Sequence, residues 1–228
     1  MYKPKAFIFD LDGVITDTAH YHFLAWQALA ESIDIEFDAA FNENLKGVGR
    51  MESLELILQK GNKANTYTSA EKEAMATQKN EHYKKLVITM TPNEVLPQIP
   101  KLLQQLKADN IKIGLASASK NAFTVLGCLK MQSTFDYVAD AAKIPNSKPA
   151  PDVFLDVANH FGLEARYCIG IEDAAAGVES INRAGMFAVG IGDKNSLNAA
   201  DILFPNTASI DLEKIYQAYN TWLIKLNA

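Results

Sequence analysis

Asp10 and Asp12, separated by a single leucine, directly follow the apolar run Ala6-Phe7-Ile8-Phe9. Carboxylates at the end of a buried strand repel one another and resist desolvation, so the pair is costly unless a cation or hydrogen bonds compensate. A divalent metal would serve both acids. Gly13 permits a tight exit from the strand, and Thr18, after Asp17, can cap the helical pattern that follows. The segment reads as strand, acidic loop and helix.

Three other polar clusters follow predicted strands. Ser117-Ala118-Ser119-Lys120-Asn121 opens a helical pattern, and its hydroxyls, free backbone N–H groups and cation suit a phosphate, although a plain helix cap would need the same residue types. In Ser147-Lys148-Pro149-Ala150-Pro151-Asp152 the prolines restrain the backbone around one compact positive charge, Lys148. Glu172-Asp173 repeats the opening arrangement, a buried strand ending in acids, with Gly177 marking close packing in the next helix. Capping is the ordinary role for acids at a helix start. Two acid clusters at neighbouring strand ends instead make an oxygen-rich site for a hard cation. Magnesium fits best, because it takes a few carboxylates together with phosphate and water.

The elements that must position these clusters are legible as apolar runs. Strands are expected over residues 6–9, 111–116, 137–139, 167–171 and 187–191, with a weaker sixth over 202–204. Continuous apolar strands alternating with helices indicate an α/β fold, a Rossmann-like parallel sheet covered on both faces. Ligands in such sheets sit beyond the carboxyl ends of the strands, where all four clusters lie.

About a hundred residues separate the first two strands, far more than one crossover helix needs. The insertion reads as all-helical. Phe23, Trp26, Ala30 and Ile33 fall at helical spacing, and Thr68 with Glu71 forms a capping box for a helix reaching Leu86, after an internal loop over 61–68. Residues 1–15 and 94–228 are therefore expected to form the core domain and 16–93 a helical cap domain. A helix over 96–109 leads back to the core, with Pro97 and Pro100 near its start.

The 228 residues are 48% hydrophobic and 21% charged, enough to bury a full core, and the net charge of -5 with no long basic run argues against nucleic acid. No apolar stretch approaches a membrane span, and the N-terminal residues lead into a short strand rather than a signal-peptide core, which reads as cytoplasmic. Cys128 and Cys168 lack metal-ligand spacing and read as buried thiols rather than a disulfide.

Through Asp10-Leu11-Asp12-Gly13, Ser117, Lys148-Pro149 and Glu172-Asp173, the chain resembles the haloacid dehalogenase-like superfamily of phosphoryl-transfer enzymes. Asp17-Thr18, residues 45–50 and residues 117–121 point to its sugar-phosphate mutase branch. The resemblance implies that Asp10 is the nucleophile, forming an aspartyl phosphate, and that Asp12 is the general acid and base. It assigns Mg2+ to the Asp10 side chain, the Asp12 backbone carbonyl, Glu172 and Asp173. Ser117, the Ala118 N–H and Lys148 would bind the transferring phosphate. Arg50, with Ser119, Lys120 and Asn121, would take a second phosphate.

Thr18, Trp26, Lys46 and Gly47 complete the implied substrate set. His22 and Lys79 match positions that couple cap closure to Asp12, although His22 could instead pack beside Trp26 and Lys79 could be a solvated helical charge. Two departures stand out: Gly49 where relatives carry a small polar residue, and Ala174 where some have serine. The implied activity interconverts β-D-glucose 1-phosphate and D-glucose 6-phosphate through a 1,6-bisphosphate, in a monomer acting on small-molecule sugar phosphates. A magnesium-dependent sugar-phosphate phosphatase is the alternative, and a non-catalytic binding protein a more distant one. Arg50 and the 119–121 set favour the mutase, since a simple phosphatase needs no second phosphate site.

Overall fold

A computed structural model describes residues 3–45 and 48–226. Lys46 and Gly47, both expected in the substrate set, lie outside the described residues. In chain order the elements are β1 (Ala6–Phe9), α1 (Ala19–Ser32), α2 (Ala39–Asn42), α3 (Arg50–Lys60), α4 (Ser69–Val87), α5 (Ile99–Ala108), β2 (Lys112–Leu115) and α6 (Ala122–Cys128). They continue with β3 (Tyr137–Val138), α7 (Asp152–His160), β4 (Cys168–Glu172), α8 (Ala175–Arg183), β5 (Phe187–Ile191), β6 (Ile202–Phe204) and α9 (Leu212–Leu226).

The six strands form one parallel sheet in the order β3-β2-β1-β4-β5-β6. Along β1, successive side chains enter opposite layers, as the two-residue strand period requires. Phe7 and Phe9 join an apolar cluster with residues of α5, α6 and α9, whereas Ala6 and Ile8 join one with residues of α7 and α8. Helices thus cover both faces, and β1, β4 and β5 are buried throughout. In register, Phe9 pairs with Leu115 on one side and Ile171 on the other, so β1 and β2 end at the same level and β4 runs one residue further. That shared edge brings the clusters after residues 9, 115 and 171 together.

Some boundaries differ from expectation. β2 and β3 are shorter than the apolar runs that contain them, and β4 is shifted one residue on, so that Glu172 is the last strand residue rather than the first beyond it. α5 begins at Ile99, because Pro97 disfavours helical backbone at Leu96 and Gln98 takes a positive φ of 68° before the helix opens. Cys128 and Cys168 are free thiols, Cys128 half-buried rather than buried as expected, and burial pushes the Cys168 pKa up to about 12.

The segment between β1 and β2 is helical, as expected. Trp26, Leu29, Ala30, Ile35, Phe37, Leu45, Leu54, Ile57, Leu58 and Ala76 form an apolar cluster that includes no strand residue. The Thr68–Glu71 capping box is present at the start of α4. Where the segment leaves and rejoins the sheet, its two ends are laced together. The Leu96 N–H donates to Ile15 O at 2.9 Å, and the Thr16 hydroxyl donates to Glu94 O at 2.7 Å. Tyr83 and Val87, late in α4, pack with the sheet cluster rather than with the helical one.

Candidate active site

Asp10 leaves β1 with its N–H bonded to Ile171 O at 2.9 Å and is only 6% exposed. Gly13, at φ 73°, turns the chain beneath Asp173, and a Cβ there would overlap the Asp173 carboxylate. Glu172, at the end of β4, accepts from the Asp173 N–H at 2.8 Å and the Ala174 N–H at 2.9 Å through the same oxygen. Gly177 leaves the space the Glu172 carboxylate occupies. Asp10, Glu172 and Asp173 each offer an oxygen within 4.8 Å of the others.

Lys148 lies beneath this group, 3% exposed, with Nζ 2.5 Å from Asp10 Oδ1 and 2.5 Å from Glu172 Oε1. Its peptide bond to Pro149 is cis, and the Ser180 hydroxyl donates to Ala150 O at 2.6 Å, tying the lysine loop to α8. Burial pulls the Lys148 pKa down, but the adjacent Asp10 and Glu172 carboxylates outweigh it and hold the ammonium above its ordinary range. One ammonium does not balance three carboxylates. Burial first, and then Glu172, push Asp10 up to about 7 against the pull of Lys148. Oxygen donors carrying surplus negative charge at this spacing fit a divalent cation.

The Asp12 carboxylate stands outside that trio. It accepts a hydrogen bond from the Thr18 hydroxyl, and burial followed by the Asp10 charge raises its pKa to about 8. Thr18 therefore does not cap α1. Its hydroxyl is turned toward Asp12, and Asp17 accepts from the Ala19 N–H at 3.0 Å instead.

After β2, the buried Ser117 hydroxyl accepts from the Ser119 N–H at 3.1 Å and the Ser119 hydroxyl accepts from the Asn121 N–H at 3.3 Å. These bonds hold the loop in a tight turn before α6 opens at Ala122. Ala118, Ser119, Lys120 and Asn121 line a cleft of about 870 Å³. Asp10, Asp12 and Asp173 form its floor, and His22, Trp26, Arg50, Lys79 and Asn80 face them from the helical segment. Arg50 is the first residue of α3, so its guanidinium adds to the positive end of a helix dipole, an arrangement that favours an anion. Gly49 lies so close to the core that a Cβ there would come within 2.8 Å of Ser147 Oγ.

Lys79 is not a solvated helical charge, because it is 4% exposed, with Nζ 2.8 Å from His22 Nδ1 and 4.4 Å from the centre of the Trp26 ring. Burial and the nearby Arg50, against the pull of Asp12, bring its pKa down to about 7. The His22 ring packs on Tyr83, with centroids 4.1 Å apart, rather than against Trp26. Burial and the Lys79 charge hold His22 well below its ordinary pKa.

Two residues at this site escaped the sequence reading. Asn80 accepts a buried hydrogen bond from Asn121 Nδ2 at 2.8 Å, and Tyr83 is fully buried, its hydroxyl beside Thr18 and in the field of Asp12. A signal was present: Ala76, Lys79, Asn80, Tyr83 and Val87 share one helical face, and polar residues on a buried stripe ask for partners.

Residues 4–185 match the family described as haloacid dehalogenase-like hydrolase. The chain is 47% identical over 221 residues to the β-phosphoglucomutase of Bacillus subtilis (strain 168), covering 97% of this chain and 98% of that protein. It is 29% identical over 192 residues to a fructose-1-phosphate phosphatase of Escherichia coli (strain K12), covering 84% of this chain and 98% of the phosphatase. A crystal structure of β-phosphoglucomutase from Clostridium difficile superimposes with a TM-score of 0.94 at 48% identity, covering 97% of this chain and 99% of that one.

Proposed function

Because the chain belongs to the haloacid dehalogenase-like hydrolase family, we propose that it is a mutase interconverting β-D-glucose 1-phosphate and D-glucose 6-phosphate through an aspartyl phosphate and β-D-glucose 1,6-bisphosphate. The observation that carries this reading is the near full-length likeness to the B. subtilis mutase. The cleft supports it: Asp10, Asp12 and Asp173 line it, Lys148 is paired with Asp10 just behind them, and Arg50 supplies a cation from the helical segment for a second phosphate.

Asp10 is the nucleophile. One carboxylate oxygen forms a bond to phosphorus as the bond to the leaving oxygen breaks, and Asp12 gives its proton to that oxygen. An acid whose pKa stands at about 8 holds that proton at neutral pH. The bisphosphate from which Asp10 takes that group arises in the other half of the cycle, in which Asp12 takes a proton from the 6-hydroxyl of glucose 1-phosphate and that hydroxyl attacks the aspartyl phosphate, regenerating the Asp10 carboxylate. Lys148, the Ser117 hydroxyl and the Ala118 N–H neutralise and orient the phosphoryl oxygens. Asp10, Glu172 and Asp173 side chains with the Asp12 carbonyl would hold Mg2+, which supplies further neutralisation of phosphoryl charge.

Between the halves the bisphosphate must present its other phosphate to Asp10, so the helical domain, residues 16–93, opens and recloses on the core formed by 1–15 and 94–228. Arg50, Ser119, Lys120 and Asn121 hold the phosphate that is not reacting. Thr18 steadies Asp12, and His22, Trp26 and Lys79 form the wall of the cleft above it. No helix among the described residues is long and apolar enough to cross a membrane, and the reading is of a cytoplasmic monomer acting on small sugar phosphates.

The likeness to the E. coli phosphatase keeps one alternative in view, hydrolysis of a sugar phosphate with water as the second acceptor. Incubation with Mg2+, β-glucose 1-phosphate and a trace of bisphosphate separates the two. Glucose 6-phosphate without loss of phosphate is expected, and stoichiometric release of inorganic phosphate would overturn the mutase.

A second measurement addresses the cation. Without it, Asp10 and Asp12 have folded pKa values above their unfolded ones, so their contribution to stability is complete below about pH 4 and is lost as pH rises through 7 and 8. A cation among the acids offsets that loss. Mg2+ is therefore expected to raise the melting temperature, relative to chelator, more at pH 8 than at pH 5. Equal shifts at both values would place the cation elsewhere.

A further inference from the structure

We infer that Asn80 is a positioning residue that latches the helical domain onto the phosphate loop through Asn121, so that filling the second-phosphate site and closing the cleft are one event. This rests on the mutase reading. Asn121 belongs to the core and Asn80 to α4, and both side chains are buried while lining opposite walls of the same cleft. Asn121 Nδ2 donates to Asn80 Oδ1 at 2.8 Å, a side-chain hydrogen bond that crosses the cleft rather than running along the hinge. Exchanging the amide oxygen and nitrogen on both residues preserves the bond, so the link survives either assignment.

On the core side the link is stiff. The Asn121 N–H is bonded to Ser119 Oγ and the Ser119 N–H to Ser117 Oγ, so the position of the Asn121 side chain is transmitted to the whole 117–121 turn. On the other side Asn80 follows Lys79, which is anchored to His22 and Trp26, so the amide moves with the cleft wall. Asn121 Nδ2 has two hydrogens, and Asn80 engages one. The amide is thereby oriented with the second still available to a phosphate oxygen. When the domain opens, the amide pair separates and that orientation is lost. A phosphate at Arg50 and Asn121 therefore favours the closed cleft, and the closed cleft keeps water from the aspartyl phosphate.

The test compares wild type with Asn80→Ala, Asn121→Ala and the double variant, scoring phosphate released per isomerisation and the bisphosphate KM against kcat. Asn80→Ala is expected to raise released phosphate per isomerisation by about 3- to 10-fold, the worth of one buried hydrogen bond, and to raise KM more than it lowers kcat. The double variant should be no worse than Asn121→Ala alone. An Asn80→Ala protein with unaltered melting temperature, ratio and KM overturns the latch. If wild type only releases phosphate, the mutase reading fails by itself, and the latch is then read by hydrogen exchange at residues 117–122 in Mg2+ and inorganic phosphate. Faster exchange in Asn80→Ala supports it, and unchanged exchange overturns it.

Discussion

Asp10→Asn is expected to lower isomerisation by on the order of 10⁴- to 10⁶-fold, because no other group can take the phosphoryl transiently. The substituted amide keeps the shape of the site. Its carbonyl oxygen would still reach Lys148, and exchanging a carboxyl that burial pushes up to about 7 for a neutral amide relieves the crowding with Glu172. The variant should therefore fold, with a metal-free melting temperature at or above that of wild type. Two readings check the expectation: the rate of glucose 6-phosphate formation, and intact-protein mass after incubation with bisphosphate, which should show a phosphoryl adduct on wild type and none on the variant. A near-normal rate would remove Asp10 from the chemistry and with it the aspartyl phosphate.

Lys148→Ala attacks the same site from below and should cost stability as well as activity. Its ammonium lies 2.5 Å from both Asp10 and Glu172, all three buried, so truncation leaves two carboxylates facing one another without a counter-charge. Breaking a buried pair in this way typically destabilises by about 3–5 kcal/mol, here roughly 6–20 °C in melting temperature for the metal-free protein. Both partners are raised above their ordinary pKa values, so both contribute stability that is lost as pH rises, but in different windows. A raised lysine contributes stability up to its ordinary range and loses it only at more alkaline pH, whereas the raised Asp10 takes up a proton as pH falls toward 5. The deficit of the variant should thus be larger at pH 8 than at pH 5. Calorimetry at the two values measures it, and a deficit independent of pH would mean that packing, not charge, is what the lysine supplies.

Both expectations start from features legible in the order of residues. Acids placed directly after apolar runs, at residues 10 and 172, marked strand ends in a parallel sheet, and parallel sheets collect ligands there. The long interval between β1 and β2 announced an inserted segment, and the helical spacing of Trp26 and Ala30 with the Thr68–Glu71 box announced its helices. Local errors had local causes. Thr18 read as a cap because threonine before a helix often is one, yet its hydroxyl is claimed by Asp12, a partner that only the turn at Gly13 brings within reach. For Lys79 a solvated charge stands beside the cap-closure role in the sequence because a lysine on a helix is usually exposed, and only its burial against His22 and Trp26 removes that alternative.

What the amino-acid sequence determined by itself is therefore everything carried by short-range pattern: strand and helix periods, turn residues, caps, and the acids and hydroxyls at strand ends. Those depend on backbone geometry over a few residues. The tertiary structure alone decided which of these groups meet. Lys148 settles between Asp10 and Glu172, His22 beside Lys79 and Tyr83, and Asn80 against Asn121, across intervals of 24 to 138 residues for the bonded pairs. Such contacts follow from how layers pack and where a domain closes. They are settled by burial summed over the whole core, and no window of a few residues contains it.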